Sequence, residues 1–288
     1  MDYFTIDFET ANSLPTSACS IGIVGVKNKK AIIKKHYLIN PEQEFADFAT
    51  SIHNIKTEDV KDAPNFKTLW EDIKQYFDNT IVFSHNSGFD FNVLKSLLEK
   101  YNIEKPEFRF GCTVKIARGL WSDGEVQNHK LNTIAGFLEY PFTHHNALSD
   151  ASVCAKIINT GLRMQQVYDV ETLYERLNLR FGFFGPNNYY NSFKLQNKYK
   201  VKRKFDNDKI ANKLIVVSGN PDHIKRKELI IKLIENGGFI ETKVSNKCDY
   251  FVKLNNCDNN KLNEVNNLIK KGVEIKVFNE KSILALVK

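Results

Sequence analysis

Five cysteines occur in 288 residues, an odd number, and none of them pairs as CxxC. Cys19, Cys112, Cys154, Cys248 and Cys257 are scattered along the chain. This spacing argues against a disulfide framework and against a cysteine zinc site, and it fits a reducing compartment. No stretch approaches the ~18 apolar residues of a membrane-spanning helix. The opening residues MDYFTIDFET carry acids where a secretory signal needs a basic start and an apolar run. A cytoplasmic protein without membrane attachment is the expectation. The chain also lacks an internal repeat and any long low-complexity tract.

What is present is ordinary globular material. Hydrophobic residues make up 42% and charged residues 26%, enough for a core of useful size. The length favours two domains. Lys and Arg number 41 against 34 Asp and Glu, for a formal charge of +7. That excess suits a polyanionic partner such as nucleic acid. It also fits a composition simply rich in Lys and Asn.

The order of patterns suggests an architecture. Residues 3–8, 18–26 and 31–39 read as strands separated by turns, an antiparallel meander. Helical spacing follows at 66–77 and 89–101, around a β-rich run at 80–84. Further helices are expected at 113–120, 129–138 and 146–164. Meander first and strand–helix alternation afterwards predict an α/β fold with a mixed sheet. Residues 166–209, rich in Gly, Pro, Asn and basic groups, read as a basic linker. Its aromatics Tyr189, Tyr190, Phe193 and Tyr199 would let a nucleic-acid-binding arm stack bases. From about 210 a new rhythm begins. Strands near 214–218, 239–241, 250–254 and 274–278 alternate with helices near 225–236, 261–271 and 280–287. They predict a small parallel α/β domain over 210–288, because helices cross over between the strands.

The chemistry concentrates in acids. Asp7 and Glu9 stand two apart on the first strand, so both side chains point to one face. Burying two carboxylates together is costly unless a cation neutralises them, and hard oxygen ligands suit Mg²⁺ or Mn²⁺. A solvated strand end would carry the same pair. Asp90 and Asp150 each open a helix, where the helix dipole alone favours an acid. His145 alone would be an ordinary surface histidine. Order and company decide the reading.

In that order stand Asp7-Phe8-Glu9-Thr10, then His85-Asn86-Ser87-Gly88-Phe89-Asp90, then His145-Asn146-Ala147-Leu148-Ser149-Asp150. The set resembles the DEDDh exonucleases, which include the epsilon subunit type of bacterial DNA polymerase III, RNase T and oligoribonuclease. SIHNIKTEDV at 51–60 resembles the family's IHGIT segment, with Asn54 replacing the usual Gly. NHKLNTIA at 128–135 resembles the helix before the third motif. The resemblance covers residues 1–165. It implies an RNase H-like fold and 3′→5′ removal of nucleoside monophosphates by a two-metal-ion mechanism. By that resemblance Asp7 would bridge two Mg²⁺ or Mn²⁺ ions. Glu9 and Asp150 would help to hold the ion that activates water, and Asp90 would serve the other. His145, five residues before Asp150, would be the general base rather than its neighbour His144. The backbone groups of Phe8 and Thr10, with His85 and Phe89, would hold the terminal nucleotide. DNA is the expected substrate and RNA trimming the alternative. A non-catalytic replication or repair scaffold is a third reading, which the filled set of five site positions argues against.

Residues 210–288 resemble a BRCT domain through LIVVSGN, Gly237-Gly238, VSNKCDYFV and the Lys261-led helix, without the Trp common in the last helix. Such domains bind protein partners, phosphopeptides or DNA ends. Ser218, Gly219 and Lys261 fall where phosphate-binding members place hydroxyl, backbone N–H and cation. A DNA polymerase or repair protein is the implied partner.

Overall fold

The computed structural model describes residues 1–186, 189–190, 192–194, 207–211 and 213–287. The chain forms two compact units, Met1–Lys194 and Leu195–Lys288.

The first unit opens with strands β1 (Tyr3–Thr10), β2 (Ala18–Lys27) and β3 (Lys30–Leu38). They form the expected antiparallel meander. Helices α1 (Asp47–His53), α2 (Thr57–Val60) and α3 (Phe66–Ile73) follow. Next come β4 (Ile81–Ser84), α4 (Gly88–Lys100), β5 (Phe108–Cys112), α5 (Thr113–Leu120), α6 (Leu131–Phe137), α7 (Ala147–Met164) and α8 (Val170–Arg176). Four short strands close the unit: β6 (Leu179–Arg180), β7 (Gly182–Phe184), β8 (Tyr189–Tyr190) and β9 (Phe193–Lys194). The seven-stranded sheet has the order β3-β2-β1-β4-β5-β7-β8. β1, β4 and β5 run parallel and the rest of the sheet pairs antiparallel, so it is mixed.

Alternation along β1 sorts its side chains between the two faces of the sheet. Phe4, Ile6 and Phe8 enter an aromatic core on one face, shared with α3 and α4. Tyr3, Thr5, Asp7 and Glu9 turn to the other face. There α7 lies across the sheet. The Thr5 hydroxyl donates to Ala151 O at 2.6 Å, and the Tyr3 hydroxyl donates to Ala155 O at 3.3 Å. Ala147, Ala151 and Ala155 recur every four residues, so one small-residue stripe faces the strands. The register shifts at Glu9/Thr10, where β1 leaves its partner β2.

The expected linker at 166–209 is a correction. Its first part folds into the first unit as α8 and the short strands β6–β9. Tyr174 is fully buried, accepts the Cys112 N–H at 2.7 Å and stacks on Phe181 at 4.0 Å. Phe184 stacks on Phe108 at 4.8 Å. Composition suggested a loop, but these aromatics are core material. Tyr189, expected as an exposed base-stacking ring, packs on Phe110 instead. The side chains of Tyr190 and Phe193, and Tyr199, lie outside the described residues. The helix expected at 66–77 ends at Ile73 and continues as a 3₁₀ turn at Lys74–Tyr76.

The second unit contains β10 (Leu214–Ser218), α9 (Arg226–Glu235), β11 (Phe239–Glu241), β12 (Tyr250–Lys253), α10 (Asn259–Lys270), β13 (Lys276–Phe278) and α11 (Glu280–Leu284). Its sheet order is β11-β10-β12-β13, all parallel as expected, with apolar clusters on both faces. Among the described residues no helix is long and apolar enough to cross a membrane.

Candidate active site

Three elements converge at the C-terminal end of β1. β1 supplies Asp7 and Glu9. β4 is wholly buried and runs beside β1, and its exit turn feeds α4 with Asp90 in the first turn. Asn86 takes the left-handed φ of 63° that this tight exit requires. The third contribution is α7. Asn146 caps it by accepting the Ser149 N–H at 3.0 Å, which places Asp150 one turn in.

The structure brings all four acids together. Carboxylate oxygens of Asp7, Glu9 and Asp150 lie within 4.8 Å of one another. Asp90 adjoins them and accepts the Phe8 N–H at 3.0 Å. Asp150 Oδ2 accepts the His145 N–H at 3.1 Å. Its other oxygen, Oδ1, is buried with no hydrogen-bond partner. Burial first, then the charges of Asp90, Asp150 and Glu9, holds the Asp7 carboxyl well above the usual carboxylate range. Burial, followed by Asp150 and Asp90, pushes Glu9 up to about 8. Burial likewise brings Asp90 and Asp150 each to about 7. An all-oxygen donor set, an orphaned buried carboxylate oxygen and mutual repulsion fit one or more divalent cations.

A stability prediction follows from the signs. These acids have folded pKa values raised above their unfolded values. The folded chain therefore keeps protons that the unfolded chain releases, and stability falls as pH rises from about 4 to about 8. The slope is about 1.4 kcal/mol per pH unit for each proton so retained. Urea titrations in EDTA should give a more stable protein at pH 5 than at pH 8, and Mg²⁺ or Mn²⁺ should restore the loss at pH 8. Metal-free stability that rises over this range would contradict the arrangement.

Two histidines share the mouth. The His144 and His145 rings stack at 3.7 Å with planes 15° apart. His145 holds a left-handed φ of 60°, with Nδ1 3.9 Å from Glu9 Oε1. His144 Nδ1 lies 3.8 Å from Asp150 Oδ1. Burial lowers the pKa of both rings, and for His144 the His145 charge adds to it. Both are therefore neutral bases at neutral pH.

The four expected nucleotide-holding residues all line one cleft. Phe89 stands 47% exposed on the rim of a cleft of about 840 Å³ lined by Asp7, Glu9 and Asp150. Thr10 lines the same cleft, and its carbonyl accepts from His53 Nε2 at 3.2 Å. Phe8 also lines the cleft. Its ring is core and its N–H is given to Asp90, so it positions an acid. His85 lines it too. Its Nε2–H donates to His129 O at 3.0 Å and its Nδ1 meets the Thr113 hydroxyl at 2.9 Å. Burial brings its pKa down to about 4, so it is a neutral strut in the cleft wall.

Sequence reading missed the rest of the cleft. Phe48 and Ile52, on the outer face of α1, are 56% and 43% exposed. Their signal is an apolar i,i+4 pair whose companions Ala49 and His53 are the buried face of the same helix. Arg118 and Lys130 supply a basic side to the cleft.

In the second unit Ser218 and the start of α10 do meet. The Ser218 hydroxyl is buried and accepts the Asp258 N–H at 3.1 Å. Gly219 has φ +95°, and a Cβ there would lie less than 3.0 Å from the carbonyls of Asn255 and Leu254, so only glycine fits. Lys261 sits in the first turn of α10, where the Asp258 carboxylate caps the helix. Arg226 adds a guanidinium to this corner, donating to Gly219 O at 3.0 Å and Val217 O at 2.9 Å.

Residues 4–158 match a family model described as Exonuclease, RNase T. A DNA polymerase III PolC-type protein of Caldanaerobacter subterraneus subsp. tengcongensis is 28% identical over 177 residues, 60% of this chain and 12% of that protein. A 3′-5′ exonuclease DinG of Staphylococcus epidermidis is 27% identical, over 54% of this chain and 17% of that protein. The chain thus spans less than a fifth of either relative. The solved structure of Exonuclease X in complex with 5′ overhanging duplex DNA has a TM-score of 0.50 at 22% identity. It covers 61% of this chain and 99% of that one.

Proposed function

The chain belongs to the exonuclease family, and from that premise we propose that residues 1–194 are a metal-dependent nuclease removing nucleoside monophosphates from the 3′ end of DNA. The observation that carries this reading is the cluster of Asp7, Glu9 and Asp150 with its orphaned buried oxygen, set in an open cleft. The 3′→5′ direction is supported by the relative named as a 3′-5′ exonuclease, and DNA by relatives named as DNA polymerase III.

Asp7, Glu9, Asp90 and Asp150 would hold a pair of Mg²⁺ or Mn²⁺ ions. Bound divalent ions supply charge stabilisation to the attacking and leaving oxygens of an in-line displacement. The protein's own groups do the rest. His145 accepts the proton of the attacking water on Nε2, and its Nδ1 faces Glu9, whose carboxylate stabilises the imidazolium that forms. Asp150 takes the His145 N–H and so fixes the left-handed backbone that aims this ring. Phe89, Phe48 and Ile52 offer the terminal base an apolar surface to stack on. Arg118 and Lys130 receive backbone phosphates from the basic side.

The second unit we read as a BRCT-like accessory domain that engages a DNA polymerase or repair protein. Ser218, Gly219 and Lys261 are its candidate phosphate-binding set.

The test uses purified protein, 5′-labelled single-stranded DNA and RNA of matched sequence, and Mg²⁺ or Mn²⁺ with an EDTA control. A ladder shortening from the 3′ end, faster on DNA and absent in EDTA, is the expected result. Faster shortening of RNA would move the substrate assignment, and no cleavage of either would overturn the enzyme reading.

A further inference from the structure

Gly22 pairs with Asp7 across the β1–β2 ladder. A Cβ built on Gly22 would lie less than 3.0 Å from the Ala147 carbonyl and the Leu148 nitrogen. The first turn of α7 therefore rests on the bare backbone of β2, one strand away from Asp7. That same turn carries Asp150, and the residues just before it carry His145. Deeper along the helix, the Thr5 and Tyr3 hydroxyls fix α7 through Ala151 O and Ala155 O. Among the described residues, only the end bearing the acid rests on a glycine of the sheet.

We infer that Gly22 is a positioning residue for the reaction proposed above: its missing side chain sets the spacing between Asp150 on α7 and the Asp7–Glu9 pair on β1. The contact is backbone against backbone. No rotamer change can absorb a methyl group there, so the α7 terminus must move. Asp150 moves with it, while Thr5 and Tyr3 retain the rest of the helix. The consequence falls on the cation site and spares the core.

Gly25 is a built-in control. It lies on the same strand, three residues on, so it points to the opposite face. The nearest atoms to a Cβ there belong to side chains, the Phe4 ring at 2.8 Å and Ile33 Cβ at 3.1 Å. Gly25→Ala should lower the melting temperature and leave cation binding alone.

The experiment measures Mn²⁺ affinity by calorimetry on the full chain, beside circular dichroism and cleavage rates. Gly22→Ala should stay folded, bind Mn²⁺ about 10–100-fold more weakly and lose about a hundredfold in cleavage. Gly25→Ala should bind Mn²⁺ as the parent does. Asp150→Glu leaves the Gly22 seat intact, and its extra methylene should overreach in the fixed spacing and cost about tenfold in affinity. In the Gly22→Ala background the same longer side chain should recover affinity, a coupling opposite in sign to additivity. Unchanged Mn²⁺ affinity in folded Gly22→Ala overturns the inference. So does full affinity in Asp150→Glu, which remains informative if Gly22→Ala does not fold. A parent protein that binds no Mn²⁺ overturns the nuclease reading itself, and this inference with it.

Discussion

Replacing Asp7 with alanine should reduce metal-dependent cleavage on the order of 10⁴-fold and leave the chain folded. Asp7 is the acid on which the others bear. Asp90, Asp150 and Glu9 all raise its pKa after burial has done so. Without a cation the four acids repel one another, so deleting one relieves strain that the fold otherwise carries. The metal-free variant should therefore resist urea at pH 8 at least as well as the parent, and its stability should fall less steeply with pH. Cleavage and urea titration of the same preparation check both halves. An active Asp7→Ala enzyme would sink the metal assignment. An inactive and unfolded one would mean that Asp7 serves the fold as well as the cation site.

His145→Ala should lose about 10²–10⁴-fold in kcat while Mn²⁺ affinity stays near that of the parent. The rate of the parent enzyme should rise with pH through the His145 pKa, which burial holds below its ordinary value of about 6.5. That acid limb should vanish in the variant. His144→Ala should cost far less, although its ring lies stacked on His145 and its Nδ1 is 3.8 Å from Asp150. The discrimination is needed because His144, His145 and Asp150 together also form a geometry able to hold a metal ion. If His145→Ala instead abolishes Mn²⁺ binding, the ring is a ligand and the base must be sought elsewhere. Calorimetry and a pH–rate profile separate the two cases.

The acids were legible because three motifs in order resemble a known family; spacing by itself placed only Asp7 and Glu9 on one face. The meander was legible from short strands separated by turn residues, and the parallel sheet of the second unit from helices alternating with its strands. The end of the first unit was not. Tyr174, Phe181 and Phe184 sit among Gly, Asn and Arg, and nothing local says that Cys112 and Phe108 wait for them across the sheet. For His85 and Phe8 the sequence placed the residue at the cleft without saying which of its atoms are engaged. A motif position identifies which residue adjoins the site, but which of its atoms stays free depends on partners far away in sequence. Phe48 and Ile52 escaped because exposure, unlike period, is a property of the whole fold.

The alternation of β1 has one more effect, on folding fidelity. Its pairing with β2 sets Asp7 opposite Gly22 and Phe8 opposite Ile21. A slip of one residue in that pairing would thrust Asp7 and Glu9 into the aromatic layer and turn Phe4, Ile6 and Phe8 toward α7. Two uncompensated carboxylates among phenylalanines make that misregistered sheet far costlier than a neutral strand would. The acids that crowd the cleft thus also act as a register lock while the sheet assembles, before any cation or substrate is present.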